Sequence, residues 1–381
     1  FPTRRSSDLI GHYLLHPDVT PVEMWFTSEG FARAAIELAH RYRFDGILIN
    51  LPGRDPDWMR HVERIDTAAD GSQTVFFRNS DRARCPADDN VQHLRAGAPP
   101  RPTIDQVDPA QLFYDDPHVL GGLKYPFYFG LQPYTPDRSR YWPDSMFRTI
   151  DLVLAQVGQE LSVHGEIFSP FTQLMELFGY EQALMYLLDE PQRCAAILQA
   201  YTEGAASLGV AQAGRGVDAV LISSAFAGGG FISPRQYQRF VLPYEAEVVR
   251  RIHAAGVPVY THTCGDIGDR LELMVATGID GIDTLDPPPL GSVDLADAKR
   301  RVGDRVFFKG NLDAVNTLLK KGRDEVRRDA LGRLQVGSPG GGYILSSACS
   351  VAPRVPPENL EVLAEAAEAF AARENTPTTP S

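Results

Sequence analysis

At 381 residues the chain has room for one large domain or two ordinary ones, and its 43% hydrophobic and 23% charged residues are the composition of a globular protein with a sizeable core. A net charge of −12 argues against a nucleic-acid surface, which needs clustered Lys and Arg. No apolar run approaches the roughly 18–20 residues that span a bilayer, and the cysteines are too few for a disulfide scaffold, so a reducing cytoplasm is the expected setting.

In chain order, Phe1-Pro2-Thr3-Arg4-Arg5-Ser6-Ser7-Asp8 reads like the translation of a sequencing adapter, with no apolar core behind its arginines to make a signal peptide. Residues 1–9 are set aside on that ground, and a missing natural N-terminus is expected. A helix over 29–42 and a strand over 46–50 open the regular part. Residues 51–144 break the rhythm. Runs at 62–67 and 74–78 around Asp70-Gly71 predict a β-hairpin. The Pro-, Asp- and Arg-rich remainder predicts an elaborated loop region over one face.

From residue 145 onward helical patterns alternate with short apolar runs. Helices are expected over 146–161, 172–188 and 191–212, the last opened by Glu190-Pro191. A further helix from Ser233-Pro234 to 255 should bend or break at Pro243. Later helical patterns cover 267–277, 295–302, 323–335 and 356–372. Strands are expected from residues 46, 166, 219, 257, 281, 306 and 343. This alternation implies a parallel sheet, and a closed (β/α)8 TIM barrel is preferred over an open doubly wound sheet. The eighth strand would be the lost or misread N-terminal one. Gly228-Gly229-Gly230 lacks the spacing of a dinucleotide loop. The expected organisation is one barrel domain over 10–373, with a disordered Thr- and Pro-rich tail at 374–381.

Chemistry concentrates in Tyr260-Thr261-His262-Thr263-Cys264-Gly265 and in Ser347-Ala348-Cys349. Both follow predicted strands, on the rim where barrel enzymes keep their active sites. Two thiolates and an imidazole suit zinc, and three protein ligands leave a position open. The plainer alternative is a small buried cysteine and a satisfied polar histidine. Asp286, closing the strand at 281–285, is a candidate fourth ligand or a partner that orients His262; Asp283 is the weaker alternative. Asn311 and Asp313 are candidates for substrate binding or for capping the next helix. Glu166 and Ser169 are further rim candidates, whereas Cys85 and Cys194 read as structural.

Several motifs together resemble the uroporphyrinogen decarboxylase superfamily. They are Gly165-Glu166-Ile167-Phe168-Ser169-Pro170-Phe171-Thr172, Ile232-Ser233-Pro234 with Pro243-Tyr244, His262-Thr263-Cys264-Gly265, Gly310-Asn311-Leu312-Asp313 and Pro356-Pro357-Glu358-Asn359. The resemblance implies a (β/α)8 barrel. It is nearest to the methylcobalamin:thiol methyltransferase branch, where a His-x-Cys and a distant Cys bind zinc, matching His262, Cys264 and Cys349. That branch implies methyl transfer between a corrinoid (methylcobalamin, protein-bound) and a small thiol, with a corrinoid protein as partner. Asp286 and Glu166 are then the catalytic candidates, and Asn311, Asp313 and Ser169 the substrate-binding ones. The alternatives are uroporphyrinogen decarboxylation, whose Arg-Gln-Ala-Gly-Arg motif is absent here, and a non-catalytic barrel binding a corrinoid or tetrapyrrole.

Overall fold

A computed structural model describes residues 4–5, 18–97, 100–115 and 142–374. Strands β1 (Arg4–Arg5) and β2 (Gly46–Ile49) precede a small antiparallel unit of β3 (Val62–Thr67), β4 (Gln73–Phe77), β5 (Arg82–Cys85) and β6 (Gln92–Leu94). Then come β7 (Ser162–Phe168), β8 (Ala219–Ser223), β9 (Val259–His262), β10 (Gly281–Thr284), β11 (Phe307–Leu312) and β12 (Tyr343–Ser347). The main sheet runs β1-β12-β11-β10-β9-β8-β7-β2, and every neighbouring pair is parallel.

All seven strands expected from the sequence are present and in chain order across a curled sheet. The two-residue β1 lies within the stretch set aside as adapter-like, and it pairs with β12. Among the described residues nothing pairs β1 with β2, so the sheet is seen as part of a barrel wall and not as the closed ring that was expected. Alternation sorts the faces. Val220 and Ile222 join the main core with the helices, while Leu221 joins Leu48, Ala219 and Tyr260 in a second cluster on the other face.

Helix boundaries follow local chemistry. Ser169 caps Pro170–Phe178 by accepting from the Thr172 N–H, and Pro170 occupies the first turn, where its missing N–H costs nothing. The helix expected over 172–188 is split at Gly179, whose φ of 80° takes the chain out of the helix before Tyr180–Asp189. Pro243 does interrupt its helix: Pro234–Phe240 and Leu242–Ala254 are separate, with the break at Val241. The pattern over 267–277 yields only Leu271–Val275, because a turn from Ile267 to Arg270 takes up its start.

The hairpin at 62–77 is present, with Gly71 in its turn at φ 84°. Residues 82–94, expected as loop, add two further strands to it. Arg82-Ala83-Arg84-Cys85 alternates exposed arginines with buried small residues, a short strand pattern that its charges conceal. Burial pushes the thiols of Cys85 and Cys194 up to about 12, consistent with a packing role for both.

Gly204, inside helix Pro191–Gly214, lies so close to the carbonyl of Phe113 that an added Cβ would sit 1.7 Å from the oxygen. Gly204→Ala should therefore cost about 1–3 kcal/mol by overpacking, read as a lowered denaturation midpoint with an unchanged slope.

Candidate metal centre

One row of the sheet explains the centre. In the parallel register Ser223 pairs with His262, His262 with Asp283, and Asp283 with Lys309, so four consecutive strands, β8 to β11, place these residues side by side. Lys309 Nζ donates to both oxygens of Asp283 at 3.0 Å, and Asp283 Oδ2 lies 3.3 Å from His262 Nδ1. The side chains of Lys309 and Asp283 are each 3% exposed. A carboxylate facing Nδ1 makes that nitrogen the protonated one, which leaves the Nε2 lone pair free to bind a cation.

Nε2 points at the cysteines. It lies 3.3 Å from Cys264 Sγ, and Cys264 Sγ lies 3.8 Å from Cys349 Sγ. The three ligand atoms are all within 4.8 Å of one another, the one such His, Cys or carboxylate group among the described residues. Two sulfurs at Zn–S distances of about 2.3 Å and a tetrahedral angle stand about 3.8 Å apart, and a sulfur and an imidazole nitrogen about 3.5 Å. The observed separations of 3.8 and 3.3 Å match that template. The donor set therefore fits a tetrahedral, sulfur-tolerant divalent cation with one position left open.

Without a metal the cluster shares its protons internally. Burial opposes a charged imidazole, yet Cys264, Asp283 and Cys349 hold the His262 pKa well above 6.5. The Cys264–Cys349 hydrogen bond depresses the Cys349 thiol and raises that of Cys264. Burial raises the Asp283 carboxyl, but Lys309 and His262 outweigh it and hold it at about 2. A bound divalent cation would displace the remaining protons.

The turn behind the centre is strained. Thr284 and Leu285 have φ of 83° and 56°, an uncommon region for any residue and a costly one for a β-branched threonine. Three hydrogen bonds hold it: Asp283 Oδ1 accepts from the Thr284 N–H at 2.8 Å, Thr284 Oγ1 donates to the Thr263 carbonyl at 2.7 Å, and Asn311 Nδ2 donates to the Leu285 carbonyl at 3.0 Å. The turn follows Asp283, which the strand register already places beside His262, and sends Asp286 toward the Cys264 loop. Asp286 Oδ2 accepts from the Gly265 N–H at 2.7 Å, which fixes the backbone next to Cys264. Burial and the nearby Cys349 raise Asp286 to about 6 against that hydrogen bond.

The structure thus joins His262, Cys264 and Cys349, with Asp286 bracing their loop. The carboxylate that touches His262 is Asp283, the weaker candidate of the sequence reading, and Lys309 went unnoticed there. Asn311 is buried between Leu285 and Arg333, and Asp313 caps the following helical turn through the N–H groups of Val315 and Asn316. Ser169 caps its helix, while Glu166 lines a cleft with Asn50, Tyr114, Phe168 and Gln212.

A fully buried acid supports the strand end. Ser224 donates its N–H to the His262 carbonyl at 2.8 Å and its hydroxyl to Glu245 Oε1 at 2.5 Å. Burial raises Glu245 from 4.5 to about 7. A raised folded-state pKa gives stability that is complete below about 4.5 and lost as pH rises through about 7, a change of about 3 kcal/mol at most. Glu245→Gln removes the ionisation, so its Tm should exceed that of the wild type at pH 8, with the gap narrowing toward pH 5. A gap independent of pH in thermal unfolding would mean that Glu245 titrates normally.

The comparisons with known proteins agree with this architecture. The sequence profile described as uroporphyrinogen decarboxylase (URO-D) matches residues 134–370. A uroporphyrinogen decarboxylase of Alkalilimnicola ehrlichii is 29% identical over 251 residues, 63% of this chain and 65% of that protein. The methylcobamide:CoM methyltransferase MtaA of Methanosarcina barkeri is 24% identical over 226 residues, 59% of this chain and 63% of that protein. The chain thus spans less than two thirds of the length of these relatives. A solved methyltransferase from Methanosarcina mazei shares the fold at a TM-score of 0.64 and 16% identity, covering 97% of this chain and 94% of its own. No helix among the described residues is long and apolar enough to cross a membrane. With the profile spanning more than half of its length, the chain belongs to the uroporphyrinogen decarboxylase family.

Proposed function

We propose that the chain is a zinc-dependent methyltransferase, moving a methyl group from a corrinoid to a small thiol. The observation that carries this reading is the His262, Cys264 and Cys349 triad, whose separations fit a tetrahedral site with one open position. Zinc held there would keep an incoming thiol deprotonated at neutral pH, where a free thiol is mostly protonated. In the reaction a sulfur–carbon bond forms and the cobalt–carbon bond breaks. The bonding pair stays on cobalt, and the thiol proton passes to solvent.

The chain's own residues have distinct tasks. Lys309 and Asp283 hold the His262 tautomer, and Asp286 holds the backbone beside Cys264. Glu166, Ser169, Asn311 and Asp313 retain their proposed roles in catalysis and substrate binding, the last three through the elements they cap or join. The same reading closes the curled parallel sheet into an eight-stranded barrel and brings a corrinoid-carrying protein to its open rim. The relatedness to MtaA supports the methyl-transfer branch.

Uroporphyrinogen decarboxylation is the second reading, favoured by the names of several relatives. Purified chain should bind about one zinc and consume methylcobalamin in the presence of small thiols only when that zinc is bound. A metal-free chain that releases CO2 from uroporphyrinogen would sink the proposal.

A further inference from the structure

Tyr180, Phe226 and Phe231 form an aromatic cluster outside the metal centre. Phe226 lies 4.7 Å from Tyr180 and 5.2 Å from Phe231 between ring centroids, and Tyr180 and Phe231 are 6.0 Å apart. Tyr180 and Phe231 nonetheless remain 44% and 39% exposed. Adjacent exposed rings on a folded surface commonly mark a contact site, since each leaves apolar area in water.

The loop that carries the two phenylalanines is fixed against the metal centre. Gly229 donates its N–H to the Asp266 carbonyl at 2.6 Å, and Ser224 to the His262 carbonyl at 2.8 Å. The buried Arg270 donates to the Ala227 carbonyl at 2.7 Å. Gly228 lies so close to Cys264 that a Cβ there would stand 2.5 Å from the Cys264 carbonyl oxygen. Tyr180 is anchored separately, its hydroxyl donating to Glu176 at 3.1 Å. The loop bearing Phe226 and Phe231 is therefore held against the Cys264 loop on a rigid support, which lowers the ordering cost of binding.

The geometry points to these three rings as the surface that receives the uncharged macrocycle of the methyl donor. This inference rests on the methyl-transfer reading. In that reading a corrin ring must approach the sulfurs of Cys264 and Cys349, and the aromatic surface joined to Cys264 offers it a stacking face. Residues 224–233 contain no charged side chain. That suits a ring fringed with neutral amides, and the charges beside Tyr180 are the paired Arg101 and Glu176, whose opposite signs leave no net counter-charge for an acidic tetrapyrrole.

The test is hydroxocobalamin binding to the zinc-loaded full chain by equilibrium dialysis, with zinc content and sedimentation measured on the same samples. Phe226→Ala/Phe231→Ala should bind at least about tenfold more weakly with zinc content unchanged. If the alanine variant does not fold, Phe226→Leu/Phe231→Leu keeps the apolar volume and should weaken binding in the same direction. Wild-type affinity in a folded variant would overturn the inference and leave the methyl-transfer reading standing. A wild-type chain that binds no cobalamin would remove that reading and the inference together. Loss of self-association with unchanged cobalamin affinity would assign the rings to a second copy of the chain and overturn the inference as well.

Discussion

Cys349→Ala should leave a folded chain that no longer retains zinc against a chelator. Three ligands hold the proposed ion, and Cys349 supplies one of its two sulfurs. Removing it leaves one sulfur and one imidazole, a set that holds zinc weakly beside a three-ligand site. Cys264→Ala should behave alike, because its sulfur lies between His262 and Cys349. Neither side chain belongs to the hydrophobic core, so unfolding of the metal-free variants should differ from the metal-free wild type by less than about 1 kcal/mol. Metal analysis after dialysis, paired with urea unfolding, separates the two effects. Retention of stoichiometric zinc by either variant would remove that cysteine from the site.

Lys309→Met should be the most destabilising single change near the centre, by about 3–5 kcal/mol in urea unfolding. It strands Asp283, 2% exposed, with only His262 as a compensating charge. The double variant Asp283→Asn/Lys309→Met removes both charges and should regain much of the loss, as replaced buried pairs commonly do. It should not regain zinc affinity, because the carboxylate that fixes the His262 tautomer is gone; a tenfold to hundredfold weakening is the usual scale. Additive effects of the two single changes would show that the pair is not coupled.

The fold was legible where a strand carries β-branched and aromatic residues between helical patterns, as at Ala219–Ser223 and Tyr343–Ser347. The grouping of His262, Cys264 and Cys349 was legible for a related reason. His262 and Cys264 share one strand end and Cys349 follows another, so residue type and strand order suffice to bring them to one rim. Lys309 was not legible. Its pairing with Asp283 spans 26 residues and depends on the register of β10 against β11, which no single-strand pattern contains. Asp286 attracted attention as the polar end of its strand. The positive φ of Thr284 and Leu285, which no propensity anticipates, turns Asp286 to the Gly265 amide and leaves His262 to Asp283. The strands at 82–94 were hidden by arginines on their exposed face.

X-ray absorption at the zinc edge tests the central claim most directly, before and after a small thiol is added to the loaded chain. The account predicts two sulfurs at about 2.3 Å with lighter ligands at first, and a third sulfur once the thiol is present. A sulfur count that stays at two, or a first shell already closed by four protein ligands, would contradict an open site built on His262, Cys264 and Cys349.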